Sequence, residues 1–288
     1  MRERREIRPL EATVTDVVRE THDSVTLTFS TEERPVYEAG QFLTIDPHQF
    51  PEIAGIVHYF DHAKARREPP RAYSMSSAPH EPLLAVTVKE EHFSPEQMAF
   101  PPLLSPLLVH GLRPGRRMTI VGFTGAYVLP PGIEREADHL VHVCAGSGIV
   151  PNFAILKQAL HQELPLRQTL VYANKSHKDI IFREALERLE RQRPERLRIV
   201  HSLSREPEAE RHGPGYRSGH IDRAVLEEAI GDRQRCVVYA CGPGVTPFER
   251  KAARQKGLEP PPRFLETVLA LLHDLKVEKN RMHTESYG

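Results

Sequence analysis

The sequence predicts two domains of different class, an antiparallel β-barrel followed by an α/β domain with a doubly wound parallel sheet. Short alternating segments punctuated by Gly and Pro fill the first part of the chain, whereas apolar runs alternate with helical patterns in the second part. The change falls after Pro130-Pro131-Gly132. A length of 288 residues is sufficient for two ordinary domains, and we expect them to span 1–132 and 133–288.

The barrel strands are predicted by period-two alternation between turn signals. They cover residues 11–18, 24–29, 41–45, 84–88 and 117–121. Short strands of this kind with little helical periodicity are typical of a small antiparallel barrel. Two long connections, 48–70 and 90–111, interrupt the pattern, and we expect the second to hold a short helix near 100–105.

The second domain is predicted by strands that alternate with helices of about ten residues, which indicates βαβ units and a parallel sheet. Expected strands cover 140–145, 169–173, 197–201 and 236–240, and expected helices cover 151–160, 182–192, 223–230 and a last helix from Phe264. Residues 245–263 carry no chemical signal, and we expect a surface excursion there.

Composition excludes several function classes. Lys plus Arg and Asp plus Glu both number 39, and the resulting net charge of zero argues against a nucleic-acid binder that works by bulk charge. No apolar run approaches the roughly 20 residues of a membrane span, and the start MRERREIRPL lacks the apolar segment of a signal peptide. The cysteines Cys144, Cys236 and Cys241 form no CxxC pair, which fits a reducing cytosol and excludes a cysteine-ligated iron–sulfur centre within this chain. We therefore expect a cytoplasmic protein.

A metal site is not expected either. His58 and His62 have the i,i+4 spacing that can ligate a metal on a helix, but a third ligand with clear geometry is lacking.

Residues 71–79, RAYSMSSAP, place a cation, an aromatic ring and three serines side by side. An ordinary polar edge strand would explain this segment. A surface for a flat, anionic ligand with hydrogen-bonding groups would explain it as well. The segment alone leaves both readings open.

Two glycine turns follow predicted strands of the second domain. Gly146-Ser147-Gly148 opens a helix whose first turn contains Pro151, and Gly242-Pro243-Gly244 follows the strand that ends at Ala240. Glycines let the backbone approach a pyrophosphate, and a helix N-terminus supplies N–H donors. Two such turns at one sheet edge predict a ligand across the carboxyl ends of the strands, while packing between helix and turn is the structural alternative for each.

Four motifs in order resemble the ferredoxin–NADP⁺ reductase superfamily, and most of all the flavin reductase components of bacterial oxygenases. They are RxYS at Arg71, GSGIxP at Gly146, CGPG at Cys241 and Glu-x-Tyr at Glu285, and the resemblance spans nearly the whole chain. It implies that the barrel binds FAD and that the second domain binds a nicotinamide nucleotide.

The resemblance also implies roles for the flavin contacts. Arg71 would face the FAD diphosphate, Tyr73 would pack on the isoalloxazine or ribityl group, and Ser74 would lie near flavin N5. The remaining expected flavin contacts are Ala72, Met75, Ser76, Ser105 and Gly125. Ser105 resembles the serine of the family's diphosphate helix, although the glycines that usually precede that serine are absent here.

On the nicotinamide side, the resemblance places Cys241 beside flavin N5, with a buried strand-end thiol as the alternative. Glu285 would lie near Ser74, and Tyr287 would cover the flavin face that the nicotinamide must reach, although Gly288 follows this tyrosine. A frayed tail is the alternative for the last residues. The expected contacts of the nucleotide are Gly146, Ser147, Gly148, Ser204, Arg205, Tyr216, Cys241, Gly242 and Pro243.

The choice of nucleotide depends on Ser204, Arg205 and Tyr216, which resemble the arrangement that holds the 2′-phosphate of NADP. An Arg fork suits a phosphate, whereas an NAD site usually offers a carboxylate to the ribose diol. Lys175 and Lys178 would add positive charge, while Asp179 opposes it. We expect NADP, with NAD as the alternative.

The implied activity is hydride transfer from NADPH to FAD, after which single electrons pass to a separate ferredoxin or oxygenase component. A non-catalytic redox-sensing subunit and an NAD(P)H reductase of free flavin or oxygen are the alternatives. The basic run 64–67 is either a solvated loop or a docking patch for an acidic ferredoxin.

Overall fold

Two six-stranded sheets, one after the other along the chain, make up the molecule. The computed structural model describes residues 8–231 and 235–287. The first sheet is antiparallel and the second is parallel with helices on both faces, which confirms the predicted fold class. Within the described ranges, no helix is long and apolar enough to cross a membrane.

The first sheet closes into a barrel. Its strands are β1 Arg8–Thr21, β2 Ser24–Thr31, β3 Phe42–Ile45, β4 Arg71–Ser74, β5 Leu84–Lys89 and β6 Arg117–Thr124, in the order β4-β3-β6-β1-β2-β5. The edge strands β4 and β5 meet through an antiparallel bridge between Met75 and Val86 and a bond of 2.8 Å from the Ser76 N–H to the Ala85 carbonyl. Closure satisfies backbone groups that an open edge would expose.

Alternation along the strands places every second side chain inside the barrel. Val25, Leu27 and Phe29 of β2 are fully buried and pack with Met75 and Ile120 in one apolar core. The strand positions predicted from this alternation are confirmed, with ends that extend by up to three residues.

Both long connections of the barrel contain helical structure. The first holds helix α1 (Ala54–Ala63), whose buried Val57 and Phe60 pack on Leu103. The second holds a π-helical turn at Leu107–Gly111, which lies after the range 100–105 where the helix was expected; the prolines at 101 and 102 lack the N–H donors of a helix interior. Because α1 packs on the second connection, the two insertions support each other.

The second domain alternates strands and helices. Its strands are β7 His139–Ala145, β8 Arg167–Asn174, β9 Leu197–Leu203, β10 Tyr216–Ser218, β11 Cys236–Pro243 and β12 Met282–Tyr287, all parallel, in the order β10-β9-β8-β7-β11-β12. Its helices are α2 Ile133–Glu136, α3 Ile149–His161, α4 Arg183–Gln192, α5 Arg223–Ile230, α6 Pro247–Gln255 and α7 Phe264–Asp274. The predicted surface excursion contains α6, of which no residue is buried.

The sheet is covered on both faces, as a parallel sheet requires. Val141 and Val143 pack with α5 and α7, whereas Cys144 faces α3. The chain order reverses between β7 and β11, so both glycine turns lie at the topological switch point.

An interdomain cluster joins the barrel to the second domain. Ala39 of the barrel and Tyr127 of the connecting segment pack with Ile155, Tyr239 and Cys241, and Tyr287 packs against them. Two stacked imidazoles, His80 and His161, add a contact at 3.7 Å between ring centroids. The relative position of the two domains therefore depends on close packing.

Gly40 marks the tightest point of this cluster. A Cβ at this position would lie 2.0 Å from the Tyr127 carbonyl oxygen and 3.0 Å from Ile155, and the glycine has φ +96°. Only glycine fits here, because a side chain would both strain the backbone and push the domains apart.

We expect Gly40→Ala to lower the free energy of unfolding by more than about 3 kcal/mol, because strain adds to a clash with backbone. Gly115→Ala is the matched control, since Gly115 has φ +88° and open space around its Cβ position. It should cost about 1 kcal/mol, the strain alone. Urea denaturation followed by circular dichroism measures both, and equal losses would contradict the tight junction.

Candidate functional site

The C-terminal tail forms an edge strand beside β11. In this parallel pair Cys241 lies opposite Glu285, and Pro243 lies opposite Tyr287. Neighbouring strands are about 4.8 Å apart, so the pairing brings the CGPG turn and the tail together. The sequence predicted the functional grouping but not this strand.

The tail also reaches the barrel. Ser74, at the end of β4, donates from Oγ to Glu285 Oε2 over 3.5 Å, a long hydrogen bond. Tyr287 lies near Ser74 and packs in the interdomain cluster with Cys241. The structure thus brings together Ser74, Cys241, Glu285 and Tyr287, from three distant parts of the chain.

The carboxyl group in this grouping is partly desolvated. Burial raises the pKa of Glu285 to about 7, and the Ser74 hydroxyl offsets only part of the rise. A carboxyl with a pKa near neutrality can both accept and give a proton at physiological pH.

The other titratable groups of the site are held neutral. Burial raises the pKa of the Cys241 thiol and of the Tyr287 phenol well above their ordinary values. A neutral thiol is a poor nucleophile but packs well against a flat ring. The arrangement therefore suits positioning and proton handling rather than thiolate chemistry.

Arg71 is anchored by a buried carboxylate. Its Nη2 donates to Glu68 Oε2 at 2.5 Å and its Nη1 donates to the Pro69 carbonyl at 2.7 Å, while Lys64 lies 2.8 Å from the other oxygen of Glu68. Burial alone would raise the pKa of Glu68, but Lys64 and Arg71 hold it below its usual value. The anchor comes from the 48–70 connection and fixes the direction of the guanidinium.

The same contacts bear on the basic run 64–67. Lys64 is paired with Glu68, and Arg67 donates to Asp46 at 2.8 Å. Two of its three cations are therefore compensated within the barrel, which weakens the case for a docking patch at this position.

A second carboxyl group, Glu91, lies near the expected diphosphate position. Desolvation raises its pKa and the nearby Arg71 charge offsets part of the rise. Its backbone N–H donates to Ser105 Oγ at 3.1 Å. Sequence reasoning passed over Glu68 and Glu91, because acidic residues are not expected beside a phosphate.

The remaining expected flavin contacts occupy different environments. Ala72 is exposed, and Tyr73 packs partly against the barrel core. The Met75 side chain lies wholly inside that core, so it is not available for the expected flavin contact. Ser76 Oγ is buried and makes no hydrogen bond to the described residues. Gly125 has φ +121° and its Cβ position lies 3.2 Å from the Phe42 ring.

The glycine turns meet at the edge of the second sheet. A Cβ at Gly148 would lie 2.2 Å from the Cys241 carbonyl oxygen, and one at Gly242 would lie 2.5 Å from Phe264. Gly146, by contrast, has φ +52° and open space at its Cβ position. Ser147 lies between the two glycines of the first turn, and Pro243 ends β11. The turn is closed toward the protein and open toward solvent, which is the shape of a cradle for a phosphate group.

Ser204 and Arg205 follow β9 at the same sheet edge. The Arg205 backbone N–H donates to the Lys175 carbonyl at 2.8 Å, and its side chain is exposed. Tyr216 is instead nearly buried; its ring stacks on His201 at 4.6 Å and its hydroxyl donates to Glu187 at 3.4 Å. A role for Tyr216 at a 2′-phosphate would require this hydrogen bond to be exchanged.

Glu206 is a further charged group at this edge. Hydrogen bonds from His212, at 2.5 Å, and from the His177 backbone, at 2.7 Å, lower its pKa to about 2, and Arg211 lies 3.0 Å away. Its charge is compensated locally, so it does not present a free carboxylate beside Arg205.

These observations fit the two groups that the family implies. An unpartnered buried hydroxyl at Ser76 and an anchored Arg71 suit a flavin diphosphate region, and the open turn at Gly146 suits a nucleotide diphosphate. Among the described residues, no cluster of three or more His, Cys, Asp or Glu could hold a metal, and His58 and His62 are no exception.

Comparisons agree with this geometry. Residues 142–253 match the oxidoreductase NAD-binding domain. The ferredoxin reductase component of a 3-ketosteroid-9-alpha-monooxygenase is similar in Mycobacterium tuberculosis, at 30% identity over 84% of this chain and 60% of that protein, and in Mycolicibacterium smegmatis, at 33% identity over 67% and 50%. The chain thus spans half to three fifths of the length of these relatives.

A solved structure covers both domains. The flavohem-like FAD/NAD-binding domain of a nitric oxide dioxygenase from Vibrio cholerae superposes with a TM-score of 0.71 over 97% of this chain and 98% of that chain, at 21% identity, and so shares the fold. The fold and the matched domain define a two-domain oxidoreductase with a nicotinamide-nucleotide domain. The matched domain, the ferredoxin reductase relatives and the shared fold confirm the predicted resemblance to the ferredoxin–NADP⁺ reductase superfamily.

The raised pKa of Glu285 predicts a stability that depends on pH. Between about pH 4.5 and 7 the folded state keeps a proton that the unfolded state releases, so stability falls as pH rises through this window and stays lower above it. Glu285→Gln should remove this loss and be more stable than the wild type at pH 8, by about 1–3 kcal/mol. Thermal unfolding from pH 5 to 8 measures it, and parallel curves for the two proteins would contradict the assignment.

Proposed function

We propose that the protein is an FAD-dependent NAD(P)H oxidoreductase that delivers single electrons to a separate ferredoxin or oxygenase component. The observation that carries the proposal is the convergence of Ser74, Cys241, Glu285 and Tyr287 where the barrel meets the carboxyl edge of the second sheet. When bound, the nicotinamide and the flavin supply the hydride and electron chemistry.

The chain's own residues would supply position and proton handling. Arg71, aimed by Glu68, would hold the flavin diphosphate, and the turn around Gly146 would hold that of the coenzyme. Ser74 and Glu285 form a hydrogen-bonded pair that would hold a proton at flavin N5. Cys241 and Tyr287 would exclude water and leave a flat, apolar space for stacked rings.

NADPH is the coenzyme that we favour. Arg205 offers an exposed guanidinium at the end of β9, whereas the neighbouring Glu206 is occupied by His177, His212 and Arg211. A free cation suits a 2′-phosphate, and a carboxylate already bound by three donors is a weak partner for a ribose diol.

The relatives support a separate electron acceptor, because their names describe ferredoxin reductase components of monooxygenases. A non-catalytic sensor is a weaker candidate, since a binding module has no need of a proton-handling carboxyl beside the flavin position.

The first test is anaerobic reduction of the purified protein. It should be yellow, release FAD rather than FMN on heating, and bleach on mixing with NADPH. Cys241→Ala and Glu285→Ala should stay yellow and bleach more slowly, for Glu285→Ala by about 10–1000-fold, the range of a positioned proton-handling group. Arg71→Ala should lose flavin.

Stopped-flow measurement at saturating coenzyme separates the hydride step from coenzyme binding. If Cys241→Ala and Glu285→Ala both reduce the flavin at the wild-type rate, the two residues have no catalytic role. That result would favour a non-catalytic sensor. A colourless Cys241→Ala would make the cysteine structural.

The second test concerns coenzyme choice. Arg205→Ala should raise KM for NADPH far more than KM for NADH. The difference should correspond to a loss of about 1.5–3 kcal/mol in binding free energy, the value of a charge-assisted phosphate contact. Arg191→Ala, an exposed arginine in the last turn of α4, carries the same charge change and should affect neither. A wild type that prefers NADH would overturn the choice of NADPH.

A further inference from the structure

A buried hydrogen-bond chain runs behind the first glycine turn. Asn152, fully buried in the first turn of α3, donates from Nδ2 to the Gly148 carbonyl at 2.9 Å. Its Oδ1 accepts from the Tyr127 hydroxyl at 3.0 Å and lies 3.0 Å from His142 Nδ1. The chain therefore connects the turn to the segment that leaves the barrel.

The polarity of this chain is set by its members. An amide oxygen is an acceptor only, so Tyr127 must donate to Asn152 Oδ1. A neutral His142 has one N–H for two amide oxygens, Asn152 Oδ1 beside Nδ1 and Gln168 Oε1 at 3.1 Å from Nε2, so its tautomer decides which of the two it serves. Burial lowers the pKa of His142, which keeps the ring neutral. Each buried polar atom of the Tyr127–Asn152–Gly148 chain has a hydrogen-bond partner. Removal of one member leaves a neighbouring polar atom buried without a hydrogen bond, which lowers stability.

The barrel end of the chain is equally constrained. Tyr127 lies two residues after Gly125, an expected flavin contact, and its carbonyl oxygen faces the Gly40 Cα at the tight junction. Its hydroxyl faces Asn152 in the other domain. Tyr127 thus lies against the barrel with its backbone and reaches the glycine turn through Asn152, which its hydroxyl bonds.

We propose that Tyr127 and Asn152 are positioning residues that set the distance between the coenzyme turn and the flavin domain. The inference rests on the proposed hydride transfer. A misplacement of about 1 Å between reacting groups can lower a rate by about 100-fold. A hydrogen-bonded link that fixes the distance across the domain junction would therefore maintain the rate of hydride transfer.

Two other buried tyrosines provide matched controls. Tyr239 packs edge-on against Tyr127 in the same cluster, but its hydroxyl donates to the Val128 carbonyl at 3.0 Å, and the bond does not involve the glycine turn. Tyr172 of β8 donates to the Gly146 carbonyl at 2.9 Å, so it holds the turn by a hydrogen bond within the second domain. Each Tyr→Phe change removes one buried hydroxyl and leaves the ring.

Tyr127→Phe should retain FAD and show a KM for coenzyme within about threefold of the wild type, with reduction at saturating coenzyme slowed by about 5–50-fold. Asn152→Ala should slow this reduction at least as much. The double variant should reduce no more slowly than the slower of the two single variants, because both residues act through one hydrogen-bond chain. Tyr239→Phe should reduce within about twofold of the wild type. Tyr172→Phe should raise KM more than it lowers the rate.

Hydrogen exchange in the flavin-loaded, coenzyme-free protein gives a readout independent of activity. Amides of residues 145–149 should exchange faster in Tyr127→Phe than in Tyr239→Phe. Equal behaviour of these two variants, in rate or in exchange, would overturn the inference. If wild-type flavin is not reduced by either coenzyme, the proposed function fails, while the exchange comparison still decides whether the chain holds the turn.

Discussion

The close approach of the first glycine turn to β11 is the constraint on which the rest of the site depends. With no side chain at Gly148, the turn lies against the Cys241 carbonyl, and the ends of β7 and β11 share one small space. Any larger residue would separate the two strands at the switch point, where the coenzyme and the tail must both fit. The buried chain from Tyr127 through Asn152 holds this contact in register with the barrel.

Electrostatics around the site follow a common design. Arg71 is anchored by the buried carboxylate of Glu68, whereas Glu285 loses water without gaining an opposite charge. The first arrangement preserves a charge and fixes its direction. The second brings a carboxyl pKa toward neutrality. Glu68 lies in the 48–70 connection and Glu285 lies in the edge strand β12, so both pKa shifts arise outside the regular core of the two sheets.

Periodicity predicted the two fold classes and most strands, because five barrel strands alternate and each βαβ unit has its own apolar run. The short strands Arg71–Ser74 and Tyr216–Ser218 were not expected, since three or four residues carry too little alternation to signal a strand. The tail strand β12 escaped prediction since its pairing with β11 is nonlocal, and His283, Glu285 and their neighbours alternate too weakly to signal a strand. The motif residues Ser74, Cys241 and Glu285 could be named from the sequence, whereas the buried state of Tyr216 and the anchor at Glu68 depend on tertiary packing. Asn152 lies in an otherwise apolar helix start, a pattern that could have marked it as a buried polar group with a partner.

The edge position of β12 has a consequence for motion. A central strand is bonded on two sides, but β12 is bonded to β11 alone in the described sheet, so its last residues fray at about half the cost in backbone hydrogen bonds. Thr284 and Ser286 face solvent and add little resistance, whereas Tyr287 is held by packing. Tyr287 can therefore be displaced by local peeling of the strand end, and the two domains need not separate when this happens.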